Sequence, residues 1–378
     1  MKSALHPTPK YRWNWEALRD KDGKLSAERC IEQGVAGLIY SESQVASRGS
    51  QVMNGRLALN DALISNLDIA VEISRLRENY LQGFAIHKRC MAKLEGILLV
   101  MNRRGLKPLL LRGPAVVEQL YGGDGGLRRY SDVDLCVFPK EHPVLEKCLA
   151  DLSFKRDRLY PQIWKLDGLA LDCHQDPMNL SRNPCFDALF PGNISQIFNR
   201  ARPFRIGSGE SLVSDELDEL SLLAIHLVKH SFSQQIWEID LVRCIECNFC
   251  DSQIELLRRA AEESRLLRFV LYFLCLKYHC LPEKFFDSLP SLPRLCRRLA
   301  ACLTRSAEPG SGPLTILLCL PAKLRWCYAK SILWPNAEVR NQIATDFNVG
   351  DREGRFFIFR LADAAKRAAK LTMWFLRG

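Results

Sequence analysis

The order of apolar and polar residues divides the chain into segments of different kind. From Leu59 to Arg103, apolar residues recur at spacings of three and four with almost no Gly or Pro, which predicts amphipathic helices. The pattern then shortens. LKPLLLRG (106–113) predicts a short apolar strand, PAVVEQLY a helix with Pro114 at a tolerated early position, and GGDGG a flexible turn. YSDVDLCVF (130–138) predicts a second strand, EHPVLEKCLADLSF a helix running toward another, and YPQIWKLDGLALDCHQD two strands joined at Asp167-Gly168. FRIGSGESL reads as turns. The acids of SDELDEL then open a helix that continues through SLLAIHLVKHSF, and residues 212–378 keep a mostly helical period with short Pro or Gly breaks. Ahead of these, SESQVASRGSQVMNGR is predicted as a loop or linker. The pattern as a whole predicts an α+β protein. Its parts are a partly irregular N-terminal extension (1–58), a helical lead-in (59–105), a small mixed-sheet α/β core (106–207) and a larger helical C-terminal domain (208–378).

At 378 residues, 47% hydrophobic and 25% charged, the chain has material for two or three folded domains, which excludes a disordered protein. The first residues, MKSALHPTPKYRWNWEALRDKDGKL, lack the apolar centre of a signal peptide, and no stretch reaches about 18 uninterrupted apolar residues. A cytoplasmic location without a transmembrane segment is the expectation. The 15 cysteines, mostly inside apolar periodic segments such as LYFLCLKYHCL, then read as reduced core residues. A net charge of +10 suits a polyanionic partner, whether nucleoside triphosphate, nucleic acid or membrane surface, without choosing among them.

The candidate chemistry lies in acids placed inside apolar strands. In YSDVDLCVF the strand period turns Val133, Leu135 and Val137 one way and Asp132, Asp134, Cys136 and Phe138 the other. Two neighbouring carboxylates on one face repel, so they call for a counter-charge. LALDCHQD repeats the pattern, with Asp172, His174 and Asp176 on one face. Two acids one step apart on one strand and a third on its neighbour are a layout for two Mg²⁺ ions and phosphoryl transfer. Upstream, Arg112-Gly113 ends a strand and starts a helix, where free N–H groups and the positive dipole end favour a triphosphate.

RGPAVVEQLYGGDGGLRRYSDVDLCV, with ADLSF, LALDCHQD, HLVKHSF, WEIDL and PAKLRWCYAKSILWPN after it, resembles the uncharacterised nucleotidyltransferase family of the DNA polymerase β-like superfamily. The likeness spans roughly residues 60–370 and is strongest from Leu109 to Asp240. It implies that Asp132, Asp134 and Asp172 bind the metals, with Asp172 also the natural base for an acceptor hydroxyl. It implies nucleotide-binding roles for Arg112, Gly113, Arg128 and Ser131. Arg112 stands where the family has Lys, and Pro114 where the wider superfamily has Ser.

Other residues admit two readings. His226, Lys229 and His230, at helical spacing, and Asp240 after them either line the cleft opposite the metals or form a polar cluster between helices. His174 is expected to orient a phosphate or the acceptor, or to hydrogen-bond Asp172. Of the adjacent arginines, Arg128 is expected to face the triphosphate and Arg129 solvent. CIECNFC (Cys244, Cys247, Cys250) has spacing that invites zinc or an iron–sulfur cluster, but steps of three on a helix and the lack of a second paired motif favour apolar packing. The basic tail GRFFIFRLADAAKRAAKLTMWFLRG is expected as a packed helix, with a membrane surface or acidic partner as the alternative.

The sequence therefore predicts an Mg²⁺-dependent nucleotidyltransferase that moves NMP from NTP to a small-molecule, peptide or protein acceptor and releases pyrophosphate. An RNA acceptor is less favoured, because the basic residues are scattered and no aromatic and basic interleaving marks a strand-binding groove. A nucleotide-binding scaffold without turnover is the alternative from another class.

Overall fold

The computed structural model describes residues 18–21, 24–48, 67–158, 160–177, 185, 188–189, 194–249, 253–308, 310–333, 335, 340, 362–367 and 369–374. The N-terminal helices are α1 (Ala27–Glu32), α2 (Ala36–Arg48) and the long α3 (Leu67–Arg103). Next come β1 (Leu109–Leu110), α4 (Pro114–Leu120), β2 (Val133–Cys136), α5 (His142–Asp151), β3 (Lys155–Arg156), β4 (Ile163–Leu166) and β5 (Leu169–His174). After them lie α6 (Ile194–Arg200) and the hairpin β6 (Arg202–Ile206) and β7 (Gly209–Val213). The chain continues as α7 (Glu216–Lys229), α8 (Gln235–Asn248), α9 (Ile254–Glu263), α10 (Arg265–Tyr278), α11 (Arg294–Leu303), α12 (Ser311–Cys319) and α13 (Ala322–Leu333).

The strands form one mixed sheet in the order β3-β4-β5-β2-β1-β7-β6, with β2 parallel to β5, β1 parallel to β7, and the other pairs antiparallel. This is the α+β arrangement expected, a mixed-sheet core flanked by helices. The strand period sorts the two faces. Leu110, Val133, Leu135, Leu171 and Cys173 join one apolar core with Leu94, Leu98 and Met101 of α3 and Leu145 and Leu149 of α5. Leu109, Leu111 and Cys136 face a second core built largely from α7, α8, α10 and α11. The acids of β2 and β5 stand on this second face, toward the C-terminal helices.

Local signals explain the individual elements. Asp167 (φ 47) and Gly168 (φ 77) both take left-handed backbone, the conformation a two-residue hairpin turn requires, and so fix the register of β4 on β5. Asp215 caps α7 by accepting a hydrogen bond from the Asp218 N–H at 2.7 Å.

Two stretches differ from expectation. The first half of SESQVASRGSQVMNGR is helical, because α2 runs through Arg48 and packs on α3, with Tyr40 and Tyr80 rings 5.4 Å apart. Tertiary packing outweighs the weak turn preference of its serines. Residues 49–56, the rest of that stretch, lie outside the described residues. FRIGSGESL forms most of the β6–β7 hairpin, closed at Gly207-Ser208 with Gly207 at φ 56. The turn signal was local, but the alternating residues on both sides pair across it. In the basic tail, residues 362–367 and 369–374 are helical, and the Trp374 indole N–H donates to Ser306 Oγ at 2.9 Å. No helix among the described residues is long and apolar enough to cross a membrane.

Candidate active site

Parallel pairing of β2 with β5 sets the site. Its register aligns Asp134 with Asp172 and Cys136 with His174, so the two acids are cross-strand neighbours on one face. The His174 imidazole Nε2 lies 2.8 Å from Asp134 Oδ1 and 3.4 Å from Asp172 Oδ2. One donor atom from each of Asp134, Asp172 and His174 lies within 4.8 Å of the others, a group able to hold a metal ion. Asp132 stands one residue before β2, half-buried, and accepts a hydrogen bond from Ser131 Oγ at 3.1 Å.

Arg112 supplies the positive charge these acids require. Its Nη2 and Nε donate to the two Asp134 oxygens at 2.6 and 3.1 Å, a bidentate pair that a lysine could not make. Burial pushes the Asp134 carboxyl up, but Arg112 and His174 outweigh it and hold the group well below the usual carboxylate range. Asp132 moves the other way, raised by burial and then by the Asp134 charge. Gly113 has φ 60, and a Cβ there would stand 2.7 Å from the Asp132 carbonyl oxygen, so this backbone lies directly against the acidic strand. The start of α4 offers fewer free donors than the sequence promised. Pro114 has no N–H, and the Ala115 N–H points to the Arg112 carbonyl at 3.3 Å.

These groups open into a cleft of about 610 Å³. Arg112, Gly113, Ser131, Asp132, Asp134 and Asp172 line its sheet side, and His226, His230, Gln234 and Trp237 line the helical side. Ile31, Gly34 and Gly37 bring the α1–α2 segment to its rim. There α2 passes so close to the glycine loop that a Cβ on Gly37 would collide with the Gly126 carbonyl. The rings of His226, His230 and Trp237 cluster with centroids 4.5 to 4.9 Å apart. Burial, followed by the Arg112 charge, holds His226 well below the ordinary imidazole range. Burial and then Lys229 lower His230. Near neutrality both rings are therefore uncharged surfaces for stacking and hydrogen bonding.

The remaining sequence candidates are distributed differently. Arg128 lines the cleft but is buried against Asp240, with Nε 3.0 Å from both carboxylate oxygens, and the Tyr121 hydroxyl donates to Asp240 at 2.7 Å. Asp240 itself is fully enclosed. Arg129, expected in solvent, is half-buried and lines the cleft, and its side chain makes no ion pair among the described residues. The loop geometry turns the second arginine of the pair inward, which nothing in the local sequence signals. Lys229 faces a separate cavity. Cys244 is buried and Cys247 exposed, because a step of three leaves a helix face by about 60°. Cys250 lies outside the described residues. Trp237 was not among the sequence candidates, although the WEIDL segment contains it: its ring enters the cleft while Asp240, one turn on, binds Arg128.

The sequence profile of the uncharacterised nucleotidyltransferases matches residues 58–282, more than half of the chain. The chain belongs to the uncharacterised nucleotidyltransferase family. The match holds the whole sheet, the three acids and the α7–α8 wall. It ends before PAKLRWCYAKSILWPN and starts after α1 and α2, so the rim residues Ile31, Gly34 and Gly37 lie outside the matched segment. No curated protein and no solved structure matches the chain.

Proposed function

We propose that the protein is a divalent-metal-dependent nucleotidyltransferase that transfers NMP from NTP to an acceptor hydroxyl, and that Asp132, Asp134 and Asp172 are its metal ligands. The observation that carries this reading is the β2–β5 register, which sets Asp134 beside Asp172 at the floor of a cleft that also holds Asp132. Three carboxylates suit a hard cation such as Mg²⁺, and the buried Asp134, deprotonated through its pairing with Arg112, is ready as a ligand. Magnesium held there would neutralise charge on the triphosphate and organise an in-line displacement.

The chain's own residues would do the rest. Arg129 faces the triphosphate, a role assigned to Arg128 by sequence, while Arg112 balances the acids. Trp237, backed by neutral His226 and His230, offers a flat surface to the nucleobase. Ser131, beside Asp132, and His174, between Asp134 and Asp172, hold the carboxylates in place. The acceptor oxygen forms a bond to the α-phosphorus, the bond to pyrophosphate breaks, and Asp172 takes the hydroxyl proton.

Incubation of the purified chain with Mg²⁺ and each α-labelled NTP, with and without cell extract, tests this. Transfer of label with release of pyrophosphate is expected, and its loss in the Asp132→Asn, Asp134→Asn double variant. Equal transfer by both proteins refutes the assignment. One observation favours a second reading, a nucleotide-holding protein without turnover: the bidentate grip of Arg112 already neutralises Asp134. Nucleotide binding with no pyrophosphate release under all conditions would support it.

A further inference from the structure

A second cavity, of about 650 Å³, meets the candidate active site at His230, which lines both. Neighbouring residues divide between the two: Gly34 and Gln234 line the cleft, whereas Gln33 and Gln235 line the second cavity. Four cations border it, namely Lys229, Lys277, Arg305 and Arg367, against the carboxylates of Glu238 and Glu308. Glu238 is buried and accepts from Lys277 at 2.6 Å, so its charge is balanced within the wall. Arg367 pairs with Asp363 at 2.9 Å at the exposed rim. Gln235 gives an independent sign of a ligand. It is 3% exposed, its amide nitrogen reaches the Tyr278 hydroxyl, and its amide oxygen has no hydrogen-bond partner among the described residues. An unsatisfied buried amide oxygen is costly in a folded protein, and a polar guest donating to it from the cavity would relieve it. The wall between the two spaces is also held in unusual backbone. Ser231 and Phe232, consecutive and neither of them glycine, have φ 55 and 58. α12 pins them, as the Ser311 hydroxyl donates to the Ser231 carbonyl at 3.2 Å and the Gly312 N–H to the Ser231 hydroxyl at 3.3 Å. Strain of this kind persists where surrounding structure enforces it, and it gathers at binding sites.

We infer that this cavity seats the acceptor, and that the acceptor carries an anionic group, a phosphate or a carboxylate, beside the hydroxyl that receives the nucleotidyl group. The inference rests on the nucleotidyltransferase reading. The anion sits among Lys229, Arg305 and Arg367, the Gln235 amide bonds a neutral polar group of the same molecule, and the hydroxyl reaches past His230 into the metal cleft. The hydroxyl oxygen then bonds to the α-phosphorus as pyrophosphate leaves, and its proton passes to Asp172.

The test uses the full chain with Mg²⁺ and saturating α,β-methylene-ATP, which fills the nucleotide cleft and cannot be cleaved at the α–β position. Glycerol 3-phosphate and glycerate serve as phosphate and carboxylate probes, glycerol as the uncharged control, and binding is read by ligand-observed NMR. One or both anionic probes bind and glycerol does not. Arg305→Glu and Arg367→Glu, both at the surface, weaken probe binding about tenfold or more, while nucleotide affinity stays within about twofold. Arg297→Glu, exposed on α11 outside the cavity, leaves probe binding unchanged and controls for net charge. Gln235→Leu weakens the probe at least threefold, roughly the loss of one neutral hydrogen bond. Nucleotide binding without binding of either anion overturns the inference, as does anion binding indifferent to the Arg305 and Arg367 changes. Anion binding by a chain that fails to bind nucleotide overturns the nucleotidyltransferase reading itself, and the acceptor assignment falls with it.

Discussion

Two arginine–aspartate pairs, Arg112–Asp134 and Arg128–Asp240, look alike by distance, with shortest contacts of 2.6 and 2.9 Å. Their surroundings differ. Asp134 keeps 7% side-chain exposure and Arg112 18%, at the floor of an open cleft with a second acid and an imidazole alongside. Asp240 has 0% and Arg128 10%, with the Tyr121 hydroxyl on the carboxylate and the Arg243 guanidinium 4.4 Å above the Tyr121 ring. The first pair has room for another cation and a substrate. The second is a clasp that ties the glycine loop and the end of α4 to α8. A buried ion pair is thus evidence for chemistry only when its partners remain reachable and more ligand atoms converge on it.

Substitutions should separate the two pairs. Asp134→Asn is expected to abolish nucleotidyl transfer, by more than the about 100-fold that loss of an outer partner of a metal ligand costs. The assay is pyrophosphate release. Asp240→Asn should instead destabilise the fold by about 3–5 kcal/mol in urea unfolding, because Arg128 is left buried without its counter-charge. The Arg128→Met, Asp240→Leu double variant should recover most of that loss, since an apolar pair of similar volume costs little there. Trp237→Ala, in the cleft of the first pair, should weaken nucleotide binding by about 1–3 kcal/mol and lower Tm less than Asp240→Asn does, as seen by fluorescence titration and thermal melts.

The smallest effect falls on Glu219, which feels both Arg112 and Asp240. Burial raises its carboxyl from the ordinary 4.5 to about 8, against the lowering pull of the Ser214 hydroxyl and of Arg112. Between those values the folded chain keeps a proton that the unfolded chain has lost, so this group makes stability fall as pH rises from about 4.5 to about 8. Glu219→Gln should flatten that slope. Urea unfolding at pH 5 and pH 8 checks it: the variant gains on the wild type at the higher pH.

Strand-period reasoning made the acidic face legible from sequence, because Asp132, Asp134, Asp172 and His174 break an apolar run at the same parity on two segments. The Asp167-Gly168 turn likewise carries its geometry in its residue types. What could not be read were relations between distant segments. Nothing in RRY says that Asp240 holds Arg128 while Arg129 lines the cleft beside it, and the alternation in FRIGSGESL was hidden by its central turn. That Trp237 and Asp240 serve different spaces follows only from where α8 lies against α4. Local pattern sets faces and turns, and long-range packing sets partners.

At the crossing of α2 with the glycine loop, Gly37 and Gly126 leave no side chain between two backbones. Loop and helix must therefore shift together, and even a methyl group at Gly37 would act as a wedge. It would pry the rim away from the acids while leaving every charge where it is, so the mouth of the cleft is gauged by two hydrogen atoms.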